Sequence, residues 1–350
     1  MARVARPGFW ASLRRDVGID LGTANTLVHL RGHGVIVREP SVIAVDRATG
    51  DVLAVGAEAK RMLGRNPDVI RVVRPLRSGV IADFEQGEAM LRHFLGKAGR
   101  GVVLQRHVVV GVPCGVTEVE RMAVVEATLA AGATRAFVLP EPLAAAIGAG
   151  LPVDDPGATL VVDVGGGTTE IAIISLGGIV HARSLRVAGD EMDAAIAAAV
   201  RRAHGLHIGE KTSEAIKTEI GSAVPREIET AVLVKGRDVV TGLPRAVELS
   251  EREVREALAD VLAEIVGHVK TALELAPPEL AADALDRGIV LTGGGSLLRG
   301  FAEYVTAETG VPAALAAEPL DCVAKGTGIV VERMHRSPAL REMLERATDG

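Results

Sequence analysis

Short β-branched runs that stop at glycine and threonine alternate with amphipathic stretches along this chain. The runs Val17–Asp20, Thr26–Leu30 and Ser41–Val45 predict successive strands joined by the turns Arg31-Gly32-His33-Gly34 and Arg47-Ala48-Thr49-Gly50. Gly56–Leu63 predicts a short helix ended by Gly64. Met90, Leu91, Phe94 and Leu95 recur at helical spacing and predict a helix over Phe84–Lys97. His107–Val112 reads as a buried strand. Thr117–Ala131 reads as a helix with a capping box between Thr117 and Glu120. The second half repeats the plan, with strands at Thr159–Asp163, Glu170–Ser175 and Ile179–Val187 and a helix from Asp190. Thr212–Ser222, Glu251–Glu274 and Ser296–Glu308 read as further helices, and the charged segment beyond residue 333 as a loose one. The repetition predicts a duplicated α/β structure, with the crossing between lobes in the linker-like Pro152-Val153-Asp154-Asp155-Pro156-Gly157.

Three of the strand ends share a chemistry. They are Gly18-Ile19-Asp20-Leu21-Gly22-Thr23-Ala24-Asn25-Thr26, Val161-Val162-Asp163-Val164-Gly165-Gly166-Gly167-Thr168-Thr169 and Ile289-Val290-Leu291-Thr292-Gly293-Gly294-Gly295. Glycine lets main-chain N–H groups point at an anion, and threonine adds hydroxyl donors without bulk. Two such turns facing each other would clamp the phosphates of one nucleotide, with Asp20 and Asp163 holding a hydrated magnesium ion. Asp also favours turns for purely local reasons, which is the competing reading of both carboxylates.

Composition narrows the class. With 350 residues, 48% hydrophobic but 2% aromatic, two lobes with aliphatic cores are expected, as in buried sheets flanked by helices. A net charge of -6 argues against nucleic-acid binding. Two cysteines, Cys114 and Cys322, fit a reducing cytosol rather than a disulfide framework. No apolar run reaches the roughly 20 residues of a membrane span, so a cytoplasmic protein is expected. Residues 1–16 read as a distinct extension whose Phe9, Trp10 and Leu13 would share one side of a helix with the following Val17, flanked by arginines, the pattern of an interfacial lipid anchor. A disordered tail is the alternative.

These residues together resemble the MreB family of bacterial actin-like rod-shape proteins, within the wider group of actin, DnaK-type chaperone and sugar-kinase ATPases. The resemblance covers about residues 17–332. It rests on the three loops, on Glu141-Pro142-Leu143-Ala144-Ala145-Ala146, and on the long stretches Gly18–Leu27, Val162–Val180, Gly236–Pro244 and Pro277–Gly300. It implies an actin-like ATPase fold: two lobes, each with a duplicated mixed sheet flanked by helices and a smaller insertion. The first lobe would span 17–150 plus 325–350 with an insertion at about 32–79; the second would span 151–324 with an insertion at about 188–248. Gly22, Thr23, Ala24 and Asn25 match the first phosphate loop, and Gly165, Gly166, Gly167 and Thr168 the second. Asp20 and Asp163 match the Mg2+-organising carboxylates, Asp163 also counting with Glu141 as catalytic. Glu141 matches the residue that orients the attacking water. Glu214 and Lys217 match the nucleoside contacts, although a plain surface ion pair has the same spacing. Gly293, Gly294 and Gly295 match the adenosine loop. Val102, Val103 and Leu104 sit where the family has a membrane-inserting loop, or else they lead into the strand at His107.

The implied function is an ATP-dependent filament on the inner face of the cell membrane that hydrolyses ATP slowly. It would assemble head to tail, in pairs, and organise cell-wall synthesis with membrane partners of the elongation machinery. Two departures stand out. Pro140 replaces an acid usual before Glu141, and the stiff Leu139-Pro140-Glu141-Pro142 either fixes or misaims that carboxylate. Ala188 replaces a second glycine in Val187-Ala188-Gly189-Asp190. The rival within the superfamily is a sugar or metabolite kinase, which needs an acceptor pocket and a base that the sequence does not display. A chaperone would need a further peptide-binding domain, and a plasmid-segregating relative fits the text less closely.

Overall fold

The structure, a computed structural model, describes residues 16–99 and 106–349. They divide into two compact units: the first holds the described residues up to Gly150 and from Asp321 onward, the second Leu151–Leu320. In the first unit, β1 (Val17–Leu21), β2 (Asn25–Leu30) and β3 (Gly34–Pro40) form an antiparallel meander. A separate sheet contains β4 (Ile43–Asp46), β5 (Val52–Val55) and β6 (Ile70–Val73), followed by the ribbon of β7 (Leu76–Arg77) and β8 (Val80–Ile81). β9 (His107–Val112) and β10 (Arg135–Pro140) add parallel to the other side of β1, giving the order β10-β9-β1-β2-β3.

In the second unit the meander is β11 (Thr159–Val164), β12 (Thr169–Ser175) and β13 (Gly178–Leu185). A three-stranded sheet of β14 (Leu206–His207), β15 (Ala231–Asp238) and β16 (Pro244–Ser250) follows it. β17 (Ile289–Thr292) and β18 (Ala313–Leu315) then add parallel, giving the order β13-β12-β11-β17-β18. The two principal sheets therefore repeat one topology. Their inner strands are buried along their length, β9 and β11 at every residue, which is why they read as continuous aliphatic runs rather than alternating ones.

Four local expectations change. Ser41 is not in a strand: β4 begins at Ile43, and Ser41 is released to hold a loop described below. Arg135–Pro140, unread as a strand, is the edge strand β10. Ser296–Glu308 is not one helix. A 3-10 turn at Gly295–Leu297 is followed by Gly300 at φ +71, where a Cβ would meet Val224 Cγ2 at 2.4 Å, and the helix starts at Phe301. The terminal segment is not loose: in the helix Pro338–Asp349, Leu344 is fully buried, Thr348 Oγ1 accepts from Val138 N–H, and Glu345 pairs with Arg135 at 3.0 Å.

The helix Glu141–Gly148 crosses the helix Cys322–Met334 at backbone contact distance. A Cβ on Gly326 would lie 1.8 Å from Ala144 O, and one on Gly148 would lie 1.8 Å from Cys322 O. Backbone cannot withdraw as a flexible side chain does. Gly326→Ala is therefore expected to destabilise the first unit by about 3 kcal/mol, read as a lower denaturant midpoint; an unchanged midpoint would contradict this crossing.

Candidate nucleotide site

Both meanders open on the same hairpin. In the first unit Leu21 pairs with Thr26, and in the second Val164 pairs with Thr169; each closing pair leaves a four-residue loop, Gly22–Asn25 and Gly165–Thr168. Asp20 and Asp163 hold the equivalent position, one residue before the closing pair. The register of the sheet, not the turn alone, thus puts both carboxylates at a loop mouth.

In the first unit the loop is tied from outside. Ser41 Oγ donates to Gly22 O at 2.5 Å, Ser41 N–H donates to Ala24 O at 3.0 Å, and Gly79 N–H donates to Thr23 Oγ1 at 2.8 Å. A Cβ on Gly22 would lie 2.6 Å from Asn25 O, so the turn closes only around glycine. Asp20 is part-exposed, and its Oδ1 lies 3.6 Å from that same Cβ position. Glu141, the first residue of its helix, is 6% exposed, and its Cγ lies 3.3 Å from where a Cβ on Gly111 would stand. Gly111 is next to Val110, the partner of Ile19, so Glu141 and Asp20 share the carboxyl end of the parallel strands β10, β9 and β1. Ligands of open α/β sheets bind outside such strand ends.

In the second unit Asp163 lies at the same end of β11, beside β17. It is buried, Thr292 Oγ1 donates to its Oδ1 at 2.7 Å, and Thr292 is its register partner. Gly293, at φ +82, turns the chain back over it: a Cβ there would lie 2.3 Å from Val164 O and 2.8 Å from Asp163 Oδ1. A Cβ on Gly295 would strike Val164 Cγ1 at 2.4 Å, and one on Gly294 would lie 3.0 Å from Leu320. The third glycine loop is thus folded onto the end of β11. Gly189 and Asp190 donate to Gly165 O and Gly166 O at 3.2 and 2.7 Å, joining the start of the helix Gly189–His204 to the second loop. Lys217 reaches the same place. Its Nζ donates to Gly189 O at 2.7 Å and pairs with Asp193 at 2.9 Å, while Glu214 lies one turn earlier on its helix, Glu210–Ile220.

Burial dominates the electrostatics. It raises the pKa of Asp163 to about 6 against the opposing Thr292 hydrogen bond, and that of Asp193 to about 6 against Lys217. Each folded carboxyl therefore binds more protons than its unfolded counterpart between about pH 4 and 6. Stability of the unliganded chain should fall as pH rises through that window, by about 3 kcal/mol for Asp163. Asp163→Asn keeps the acceptor for Thr292 and should flatten the slope without removing the Asp193 share. Denaturation midpoints from pH 4 to 7 without nucleotide or magnesium would show it; an unaltered slope would contradict the buried charge.

The MreB/Mbl protein family model matches residues 14–338. This chain belongs to the MreB/Mbl family. It is 46% identical over 325 residues to the cell shape-determining protein Mbl of Bacillus subtilis (strain 168), covering 93% of this chain and 98% of that relative. It is 48% identical over 330 residues to the cell shape-determining protein MreB of Escherichia coli (strain K12), covering 93% and 95%. Among solved structures, MreB5 of Spiroplasma citri bound to AMPPNP superposes with a TM-score of 0.89 at 37% identity, over 94% of this chain and 98% of that one. The MamK double helical filament shares the actin-like fold at TM-score 0.77 and 24% identity.

As a MreB/Mbl family member the chain explains its own departures. Pro140 ends the edge strand β10, where no ladder N–H is required, and caps a helix with Pro142 in its first turn. The stiffness thus sits at a strand-to-helix junction, and Glu141 leaves it buried. Ala188 has φ -161, an extended backbone open to any residue, and its N–H donates to Glu191 Oε2 at 2.9 Å. Three residues escaped the sequence reading: Ser41, Asp193 and Thr292. Asp193 had a faint signal, an acid adjoining the apolar face of Met192, Ile196 and Val200. The anchor reading fails for Val17, which is fully buried in β1; Phe9, Trp10, Leu13, Val102, Val103 and Leu104 lie outside the described residues. No helix among the described residues is long and apolar enough to cross a membrane.

Proposed function

We propose that this chain is a membrane-associated, ATP-dependent filament protein that organises cell-wall synthesis and cell shape, hydrolysing ATP slowly as its polymers turn over. The carrying observation is the twinned hairpin: two sheets of one topology, each presenting a glycine loop and an aspartate at the same register. The nucleotide-bound state of MreB5 from Spiroplasma citri, as AMPPNP and ADP complexes, supports the ligand.

On this reading the amides of Gly22–Asn25 and Gly165–Thr168 take the phosphates. Thr23 accepts from Gly79 through its oxygen and keeps its hydroxyl hydrogen to donate. Gly293–Gly295 leave room for the adenosine, while Glu214 and Lys217 touch the nucleoside. Glu141 holds a water in line with the γ-phosphate. Magnesium fits the residues present, because a buried Asp163 bearing its charge at neutral pH asks for a cation and offers the hard oxygen that ion prefers. Asp20 and Asp163 would hold it as a hydrated ion, and it would neutralise charge on the phosphates. Phosphoryl transfer asks for positioning and charge stabilisation rather than covalent work, and without an arginine finger it runs slowly.

The membrane segments are Phe9, Trp10 and Leu13 with Val102, Val103 and Leu104, on the cytoplasmic face of the cell membrane. Weak anchors add when subunits are arrayed, so polymers should pellet with anionic vesicles and an assembly-deficient variant should not. Partners are further copies of this chain, paired head-to-tail, and membrane proteins of the elongation machinery. Electron microscopy with ATP, magnesium and lipid tests the assignment directly. Absence of filaments, together with phosphate release that rises on adding sugars, would instead favour a metabolite kinase.

A further inference from the structure

Away from the glycine loops, Asp16, His107 and His335 converge within the first unit. Strand register builds the cluster. β1 and β9 run parallel with Val17 opposite Val108, so the residue ahead of each, Asp16 and His107, is a neighbour of the other. His107 N–H donates to Asp16 Oδ1 at 3.1 Å, and His107 Nδ1 stands 3.9 Å from that oxygen. This Nδ1 is buried and has no hydrogen-bond partner among the described residues. His335, capping the helix Cys322–Met334, brings Nε2 to 2.7 Å from Asp16 Oδ2, and the two imidazoles stack with centroids 5.4 Å apart. The three ligand atoms all lie within 4.8 Å of one another, with Asp16 fully buried and His107 8% exposed.

We propose that Asp16, His107 and His335 form a site for a divalent transition-metal ion, zinc being the best match, that pins the C-terminal helices to the start of the sheet. Two imidazoles and one carboxylate suit zinc, whereas magnesium prefers oxygen ligands alone. Zinc–ligand bonds of about 2.0–2.2 Å set the donors roughly 3.3 Å apart, so spacings of up to 4.8 Å close by at most about 1.5 Å, shared between two side chains, while the 2.7 Å His335–Asp16 pair opens slightly. The ion would satisfy the orphan Nδ1. Water would complete the coordination from the side of His335, whose side chain is 15% exposed. Burial lowers the pKa of His107 more than Asp16 raises it, keeping the imidazole in its neutral, ligating form.

Positive charge opposes the ion. Arg31 Nη1 lies 3.1 Å from Asp16 Oδ2, and Arg135 and Arg341 act on His107 as well. Arg31 is one-third exposed and can turn outward, and the repulsion selects an ion held by strong nitrogen bonds over one held by charge alone.

The test is calorimetric titration of the metal-stripped full chain with zinc chloride, in saturating magnesium, for the wild type and for His335→Gln. Glutamine still donates to Asp16 and leaves the buried pair in place. One zinc per chain is expected, with affinity lower by a factor of ten or more in the variant. Cobalt gives a second readout: its visible d–d bands should appear in the wild type and be lost in His335→Gln. Equal zinc affinity in the two proteins, or cobalt spectra that do not differ, would overturn the site, because zinc on Cys114 or Cys322 is common to both.

Discussion

Asp163→Ala is expected to lose magnesium-dependent nucleotide binding by a factor of about 30 or more, since truncating one partner of a buried charged contact costs about 2–5 kcal/mol. The carboxylate is buried and its pKa stands at about 6, so at neutral pH it carries its charge against a desolvation cost that a bound cation offsets. Asp163→Asn separates two contributions. It retains the acceptor for Thr292 yet removes the charge, so loss of binding in the asparagine variant identifies the charge as the cause. Asp20→Ala should weaken binding less, because Asp20 is part-exposed and water replaces some of what it supplies. Affinity should also fall as pH drops below about 6, when Asp163 takes up its proton. Fluorescent-nucleotide titration of the three variants, and of the wild type across pH, with and without magnesium, measures these effects. Wild-type affinity in Asp163→Ala would remove the nucleotide assignment.

Glu141→Gln should separate binding from hydrolysis. Glu141 is 6% exposed and its side chain lies over Gly111, so the isosteric amide keeps the local structure. What it loses is the ability to accept a proton from the attacking water, worth about 10²-fold or more in rate. Phosphate release per bound nucleotide should fall by that factor, nucleotide affinity should hold, and filaments should outlive those of the wild type. A hydrolysis rate within threefold of wild type would show that Glu141 does not orient the water. The result also tests the proline pair, because a misaimed carboxylate would have little activity to lose.

Much of the architecture could be read in one dimension, for a local reason. A strand entering a tight turn favours glycine: a Cβ on Gly22 would lie 2.6 Å from Asn25 O, three residues on, and Gly293 takes φ +82. The capping box at Thr117 and Glu120 is likewise local, with Glu120 N–H donating to Thr117 Oγ1 at 3.3 Å and Thr117 N–H donating to Glu120 Oε2 at 2.8 Å. Where the reading failed, the deciding contact came from far along the chain. The helix expected at Ser296 starts only at Phe301, after a left-handed Gly300 where Val224 leaves no room for a Cβ, and the terminal helix is held by β10.

By itself, then, the order of residues determined the duplicated strand-turn plan, the three glycine loops and the paired aspartates, because each is a backbone requirement met within a few residues. Tertiary structure alone decided that Asp163 is buried against Thr292, that Lys217 is shared between Gly189 and Asp193, and that Ser41 leaves its strand to clasp the first loop. Those contacts join residues 19 to 129 positions apart, and the burial of Asp163, which sets its charge state, exists only once β17 and the Gly293 turn have folded onto β11.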